Sequence, residues 1–213
     1  ITSATLAVGT VSEVNNADVP AGHVISQDPT AGAVIAEGSS VNLVMSLGPV
    51  MVTVPDVVQQ IQTDAENEIT AAALTVGTVT TAYHDTVAQG RVISQTPTAG
   101  TVTAESSSVD LIISLGPEPV PVPNIEGLSQ ADAEAAIVTG NLGVGTITQA
   151  NHATVPAGNV ISQSPAAGQM VLPGAPVDFV VSLGPVMVNV PDVTGMTQAD
   201  ALSALSAGSL NSG

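Results

Sequence analysis

The sequence predicts an α+β protein of tandem small domains, each one helix packed on a three-stranded sheet, arranged as an elongated repeat array. Three observations carry that expectation. The phrase VISQ begins at Val24, Val92 and Val160, SLGP at Ser46, Ser114 and Ser182, and VPD or VPN at Val54, Val122 and Val190, always 68 residues apart. Separate phrases that share one period without an insertion mark a repeat architecture. Each period also holds one stretch with helical spacing and three rich in β-branched residues. Finally, the chain of 213 residues is 44% hydrophobic but has one Phe, one Tyr and no Trp. A single large core draws on aromatic area, so several small Val-rich cores are expected.

The repeat runs most naturally from VP to SLGP. This divides the chain into residues 1–49 (the later strands of a repeat), 54–117 and 122–185 (two complete repeats) and 190–213 (a first strand and helix). Ile1 aligns with Ile69 and Ile137, and the chain starts at Ile rather than Met, so a window on a longer array is expected.

The elements follow in order. In the third repeat Ser129 is a good N-cap, with Asp132 favourably placed in the first turn. Ala133, Ala136, Ile137 and Leu142 supply the apolar stripe, and Gly140 or Asn141 closes the helix. Thr197, Asp200, Ala201, Leu205 and Gly208 repeat the pattern at the end of the chain. The second repeat carries Ile61 at the capping position, so Thr63 paired with Glu66 is the expected cap, starting that helix about two residues later.

The stretches VGTVT and VGTIT read as a first strand, followed by a polar loop and the VISQ strand. In the last strand Val109, Leu111, Ile113 and Leu115 alternate with Asp110, Ile112 and Ser114, giving one apolar face. VISQTPTAG reads as a hairpin: Val92 and Ile93 are strand residues, one available to the core and the other to a neighbouring surface, Ser94 and Gln95 end the strand, Pro97 presets a turn and Gly100 supplies positive φ. At the joints, Pro117, Pro119, Pro121 and Pro123 predict a polyproline-like strut. Val50, Val52 and Val54, and Val186, Val188 and Val190, alternate as strands would, offering to pair or pack against adjoining repeats.

Charge excludes whole classes of function. Arg91 is the only Lys or Arg against 18 Asp and Glu, for a net charge of −17. Nucleic-acid binding, which rests on basic side chains neutralising phosphates, is excluded, and docking on anionic membranes is disfavoured. There is no Cys for a disulfide or a thiolate metal site. No apolar run reaches the length of a membrane span.

Taken together, VPD…GMTQADA…L, V…G…VISQxPxAG and SxVxLxxSLGP resemble the PASTA domain, over essentially the whole chain. The resemblance implies a small non-catalytic, extracytoplasmic domain, often in tandem, attached to bacterial penicillin-binding proteins and membrane Ser/Thr kinases. In the kinases it implies sensing of peptidoglycan fragments. Gly127 and Gly195 match the family's glycine after the VPD segment, whereas Gln59 replaces it in the second repeat. Binding the carboxylates of a muropeptide calls for Arg or Lys; Arg91 is the one candidate, and His23 and Asn159 stand in its place in the other repeats.

Neither catalytic, cofactor-binding nor metal-ligating residues are predicted, and no cofactor. His84 and His152 occupy equivalent loops, where the first repeat has Asn16, and read as loop-surface residues. Asp64, Glu66 and Glu68 read as a solvated helix face, with weak divalent-cation binding the alternative. The GVGT at Gly143–Thr146 ends a helix and so offers no phosphate cradle.

The function expected first is that of a rigid acidic rod in a bacterial extracellular surface protein, a stalk or filament. Its expected partners are other copies of itself or neighbouring repeats. Residues Val190–Leu210 and Val8–Leu47 would complete one repeat across two chains if such rods joined head to tail. The alternative is a peptidoglycan-binding module of a kinase or penicillin-binding-protein ectodomain.

Overall fold

The computed structural model describes residues 5–208; Ile1 and Leu210 lie outside the described residues. Backbone contacts divide the chain into two compact parts, Ile1–Pro117 and Glu118–Gly213.

The first part opens with β1 (Ala7–Val14), β2 (Val24–Asp28) and β3 (Ser40–Ser46), a sheet of order β1-β3-β2. A complete repeat follows: β4 (Met51–Thr53), α1 (Gln62–Ala71), β5 (Thr75–Ala82), β6 (Val92–Thr96), β7 (Val102–Ala104) and β8 (Ser108–Ser114). Its main sheet has the order β5-β8-β6, with β5 parallel and β6 antiparallel to the central β8. The second part repeats this as β9 (Val120–Pro121), α2 (Gln130–Thr139), β10 (Gly143–Ala150), β11 (Val160–Ser164), β12 (Met170–Val171) and β13 (Pro176–Ser182), and adds α3 (Gln198–Ala207). Its sheet has the order β10-β13-β11. One helix per three-stranded sheet is the α+β arrangement that the periodicity implied.

Packing follows the alternation. From β8, Val109, Leu111 and Ile113 point inward to meet Ala65 and Ile69 of α1, with Val54, Val57, Leu74 and Val92 completing the cluster. In the second part Val177, Phe179 and Val181 do the same with Ala133 and Ile137, and Phe179 fills the place of Leu111. Each fully buried Val, Leu or Ile contributes about 1.5–3 kcal/mol. Val92 and Val160 are 0% and 1% exposed, whereas their counterpart Val24 is 47% exposed. The alternation stops one residue before Leu115, which is exposed, because Ser114 turns inward. The Ser114 hydroxyl donates to Val87 O at 2.6 Å and accepts from Gly116 N–H at 2.9 Å, closing the strand end.

Helix starts match the sequence reading for α2 and α3 and correct it for α1. The side chains of Ser129 and Thr197 accept from the N–H groups of Asp132 and Asp200. In the second repeat, however, α1 begins in the same register, after Ile61, with no side-chain cap; Thr63 lies inside it. The start is held from outside the helix. Ile61 forms an isolated β-bridge with Arg91, and Gln62 N–H donates to Gly90 O at 3.1 Å. The corresponding bridge, Ser129 to Asn159, coexists with a cap. At the other end Gly140 is the C-cap with φ −75, and Asn141 takes the left-handed conformation at φ 57.

The joint at residues 50–54 forms the strand its alternation predicted and pairs with an adjoining repeat, whereas the other two joints differ from expectation. Met51–Thr53 pairs antiparallel with Val102–Ala104, and Val120–Pro121 with Met170–Val171. The proline-rich joint therefore ends in a short strand rather than continuing as a free strut. Pro121 is tolerated there because a two-stranded ribbon is all edge. Val186, Val188 and Val190, by contrast, form no strand and are exposed. The turn after each VISQ strand contains a cis peptide bond, at Asp28–Pro29, Thr96–Pro97 and Ser164–Pro165.

Candidate functional site

The repeated VISQ phrase does structural work through its glutamine, which sequence reasoning took for a strand end. Gln95 is buried. Its Oε1 accepts from Val57 N–H at 2.8 Å, and its Nε2 donates to Pro55 O at 2.8 Å and Pro97 O at 3.3 Å. Gln163 makes the same set with Ile125 N–H, Pro123 O and Pro165 O. The amide thus ties the VP segment ahead of the helix to the turn after the strand. A glutamine at an apolar strand position in every repeat was the available signal.

Arg91, the candidate carboxylate binder, is exposed, and its Nη1 donates to Gln59 O at 2.6 Å. Asn159 Nδ2 donates to Gly127 O at 2.9 Å from the same position. In both repeats the side chain holds a carbonyl whose residue has positive φ, 68° at Gln59 and 82° at Gly127. The sole guanidinium is thus engaged by the backbone of its own repeat, and its place is filled elsewhere by a neutral amide.

The histidines serve their loops. His84 Nδ1 accepts from the N–H groups of Thr86 and Val87 at 3.3 and 3.1 Å, and His152 Nδ1 from Thr154 and Val155 at 3.3 and 3.0 Å. Asn16 Oδ1 does the same for Asp18 and Val19 at 2.9 and 2.8 Å. In the acidic run, Gln62 Nε2 donates to Glu66 and Gln60 Nε2 to Glu68, each at 2.7 Å. Among the described residues no cluster of His, Asp and Glu could hold a metal ion. Asp192 is held below the usual carboxylate range by the hydroxyl and backbone N–H of Thr194.

Concave surfaces lie on the side of the second and third sheets turned away from the core. In the second repeat, register places Thr80, Ile112 and Ser94 on one rung and Asp110 beside Thr96 on the next. In the third, the rungs are Thr148, Val180 and Ser162, then Asp178 beside Ser164. The first sheet carries Ser12, Val44 and Ser26, then Asn42 beside Asp28. Shallow troughs of about 260 and 340 Å³ run along this face in the second and third repeats.

A bulge shapes each trough. The register of β5 slips between Val76 and Val79, and Asp110 Oδ1 accepts the freed Thr78 N–H at 2.7 Å. Asp178 takes Thr146 N–H at 2.6 Å and Asn42 takes Thr10 N–H at 2.8 Å. Gly77, Gly145 and Gly9 pass so close to these groups that an added Cβ would overlap the accepting oxygen and force it to move.

Two three-stranded sheets each backed by one helix and bearing the same outward trough, with a third sheet of the same order and bulge, define a tandem array of small α+β modules. The PASTA domain model matches residues 1–47, 52–115 and 120–183, and the chain belongs to the PASTA domain family. It is 32% identical over 92% of its length to a probable serine/threonine-protein kinase PknB of Corynebacterium glutamicum, and 31% identical over 82% to the serine/threonine-protein kinase PrkC of Bacillus subtilis. The chain spans 30% and 27% of those relatives. Among solved structures, it resembles the entire extracellular region of the Ser/Thr kinase PrkC from Staphylococcus aureus. That likeness has 29% identity and a TM-score of 0.64, covering 88% of this chain and 66% of that one. The chain is extracellular, as PASTA domains are. No helix among the described residues is long and apolar enough to cross a membrane.

Proposed function

We propose that the chain is a cell-wall-binding module that recognises peptidoglycan outside the cell and does no chemistry itself. The observation that carries this reading is the match to a kinase's extracellular region along 88% of the chain. It favours the module over the rod or filament, for which neither the fold nor the similarities add support. The attached activity we propose is that of a membrane Ser/Thr kinase, with wall binding as its input.

With a single Arg in the chain, the module contributes little charge attraction to an anionic wall. Contact comes from hydrogen bonds and small apolar surfaces, and repetition along the chain compensates for weak single sites. Co-sedimentation of the 213-residue chain with purified peptidoglycan sacculi at physiological salt tests the reading. Saturable retention is expected, and absence of retention overturns it.

A further inference from the structure

Building on the cell-wall reading, we propose that the bulged outer faces of the β5-β8-β6 and β10-β13-β11 sheets are the contact surfaces, and that they take the neutral N-acetylated sugar backbone rather than the carboxylate-bearing stem peptide. Four observations converge. First, the hydroxyls of Thr80, Ser94 and Thr96, and of Thr148, Ser162 and Ser164, have no hydrogen-bond partner among the described residues, although Ser94 and Ser162 are half-buried. Three unengaged hydroxyls on two adjacent rungs, at equivalent positions in two repeats, form a donor-and-acceptor lining suited to sugar hydroxyls. Second, each lining surrounds one aliphatic side chain, Ile112 or Val180, at the centre of the rung. It offers an apolar spot for a pyranose face or an acetyl methyl.

Third, the only charged group in each trough is a carboxylate, Asp110 or Asp178. One of its oxygens is held by the bulge N–H, which leaves the other to accept from a sugar O–H or acetamido N–H. A ligand carboxylate placed there would meet like charge with no cation to offset it, so the trough selects against the stem peptide. Fourth, the trough is shaped by a device that recurs in all three sheets, a glycine, a bulge and an Asp or Asn on the outward face. No aromatic ring is exposed there for stacking, so each trough binds weakly and the repeats act together.

The test is amide shift mapping by NMR on the 213-residue chain with chitotetraose, a neutral β-1,4 N-acetylglucosamine oligomer. Maltotetraose and a free stem pentapeptide serve as controls. Chitotetraose at millimolar concentration should shift Thr80, Ser94 and Asp110 together with Thr148, Ser162 and Asp178, while neither control does. Thr148→Val keeps the shape and strand preference of an exposed position and removes one hydroxyl. It should weaken binding at the third-repeat trough about three- to tenfold and leave the second unchanged. Shifts at Arg91 with the pentapeptide alone, shifts elsewhere with chitotetraose, or no effect of Thr148→Val would each overturn the proposal. If sacculi still bind while chitotetraose shifts nothing, the assigned face is wrong and the cell-wall reading stands; if sacculi also fail to bind, the cell-wall reading itself is wrong.

Discussion

Gln95 and Val57 are 38 residues apart in sequence and joined by a 2.8 Å hydrogen bond from the Val57 N–H to the Gln95 side-chain oxygen. Around that bond the VP segment is clasped a second time, with Val54 N–H donating to Thr101 O and Gly100 N–H to Val54 O, both at 2.9 Å. Losing the amide would strand a buried donor and free a carbonyl. Gln95→Ala is expected to destabilise the second repeat by about 1–3 kcal/mol in urea unfolding. Gln27→Ala, at an exposed residue whose amide reaches only Pro29 O, should change stability by less than about 0.5 kcal/mol.

Gln59 holds a φ of 68° where the third repeat has Gly127. Side chains rarely adopt that conformation, and glycine relieves the strain at some entropic cost. Gln59→Gly should therefore stabilise the second repeat by about 0.5–1 kcal/mol. The shift in urea midpoint reads this directly, and a lower midpoint would contradict it.

Gly77 and Asp110 are coupled through space. A methyl at Gly77 would overlap the Asp110 oxygen that accepts Thr78 N–H. Gly77→Ala should cost about 1–3 kcal/mol by dislodging the carboxylate. Combined with Asp110→Ala, the two costs should fall short of their sum, as a double-mutant cycle on unfolding free energies would show.

His84 caps its loop with Nδ1 as Asn16 does with Oδ1. His84→Asn should leave stability within about 0.5 kcal/mol of the parent, whereas His84→Ala should cost about 1 kcal/mol. Equal losses in both variants would show that the ring, not its acceptor, matters to the loop.

Much of the fold was legible because its causes are local and periodic. Val109, Leu111 and Ile113 announced the buried face of β8 by alternation, and Ser129 and Thr197 announced two helix starts by capping chemistry. What stayed hidden acts across long sequence separations. Nothing near Ile61 reveals that its bridge to Arg91 sets the start of α1 without a cap. Nothing within VISQ reveals that its glutamine reaches back to Pro55.

The outer troughs were missed for a related reason. Alternation says which residues face outward, but not which of them share a rung. Thr80, Ile112 and Ser94 meet only through the register of three strands, one of them bulged. The single Arg against 18 carboxylates is the sequence feature on which the proposed preference for uncharged groups rests.

The most direct measurement of the central claim is the binding isotherm of the chain on purified sacculi at low and high salt. Screening removes contacts between exposed charges and leaves hydrogen-bonded, uncharged ones largely intact. The account predicts saturable binding whose affinity changes by less than about twofold between 0.05 and 0.5 M NaCl. Absence of binding, or a loss of about tenfold or more across that range, would contradict it.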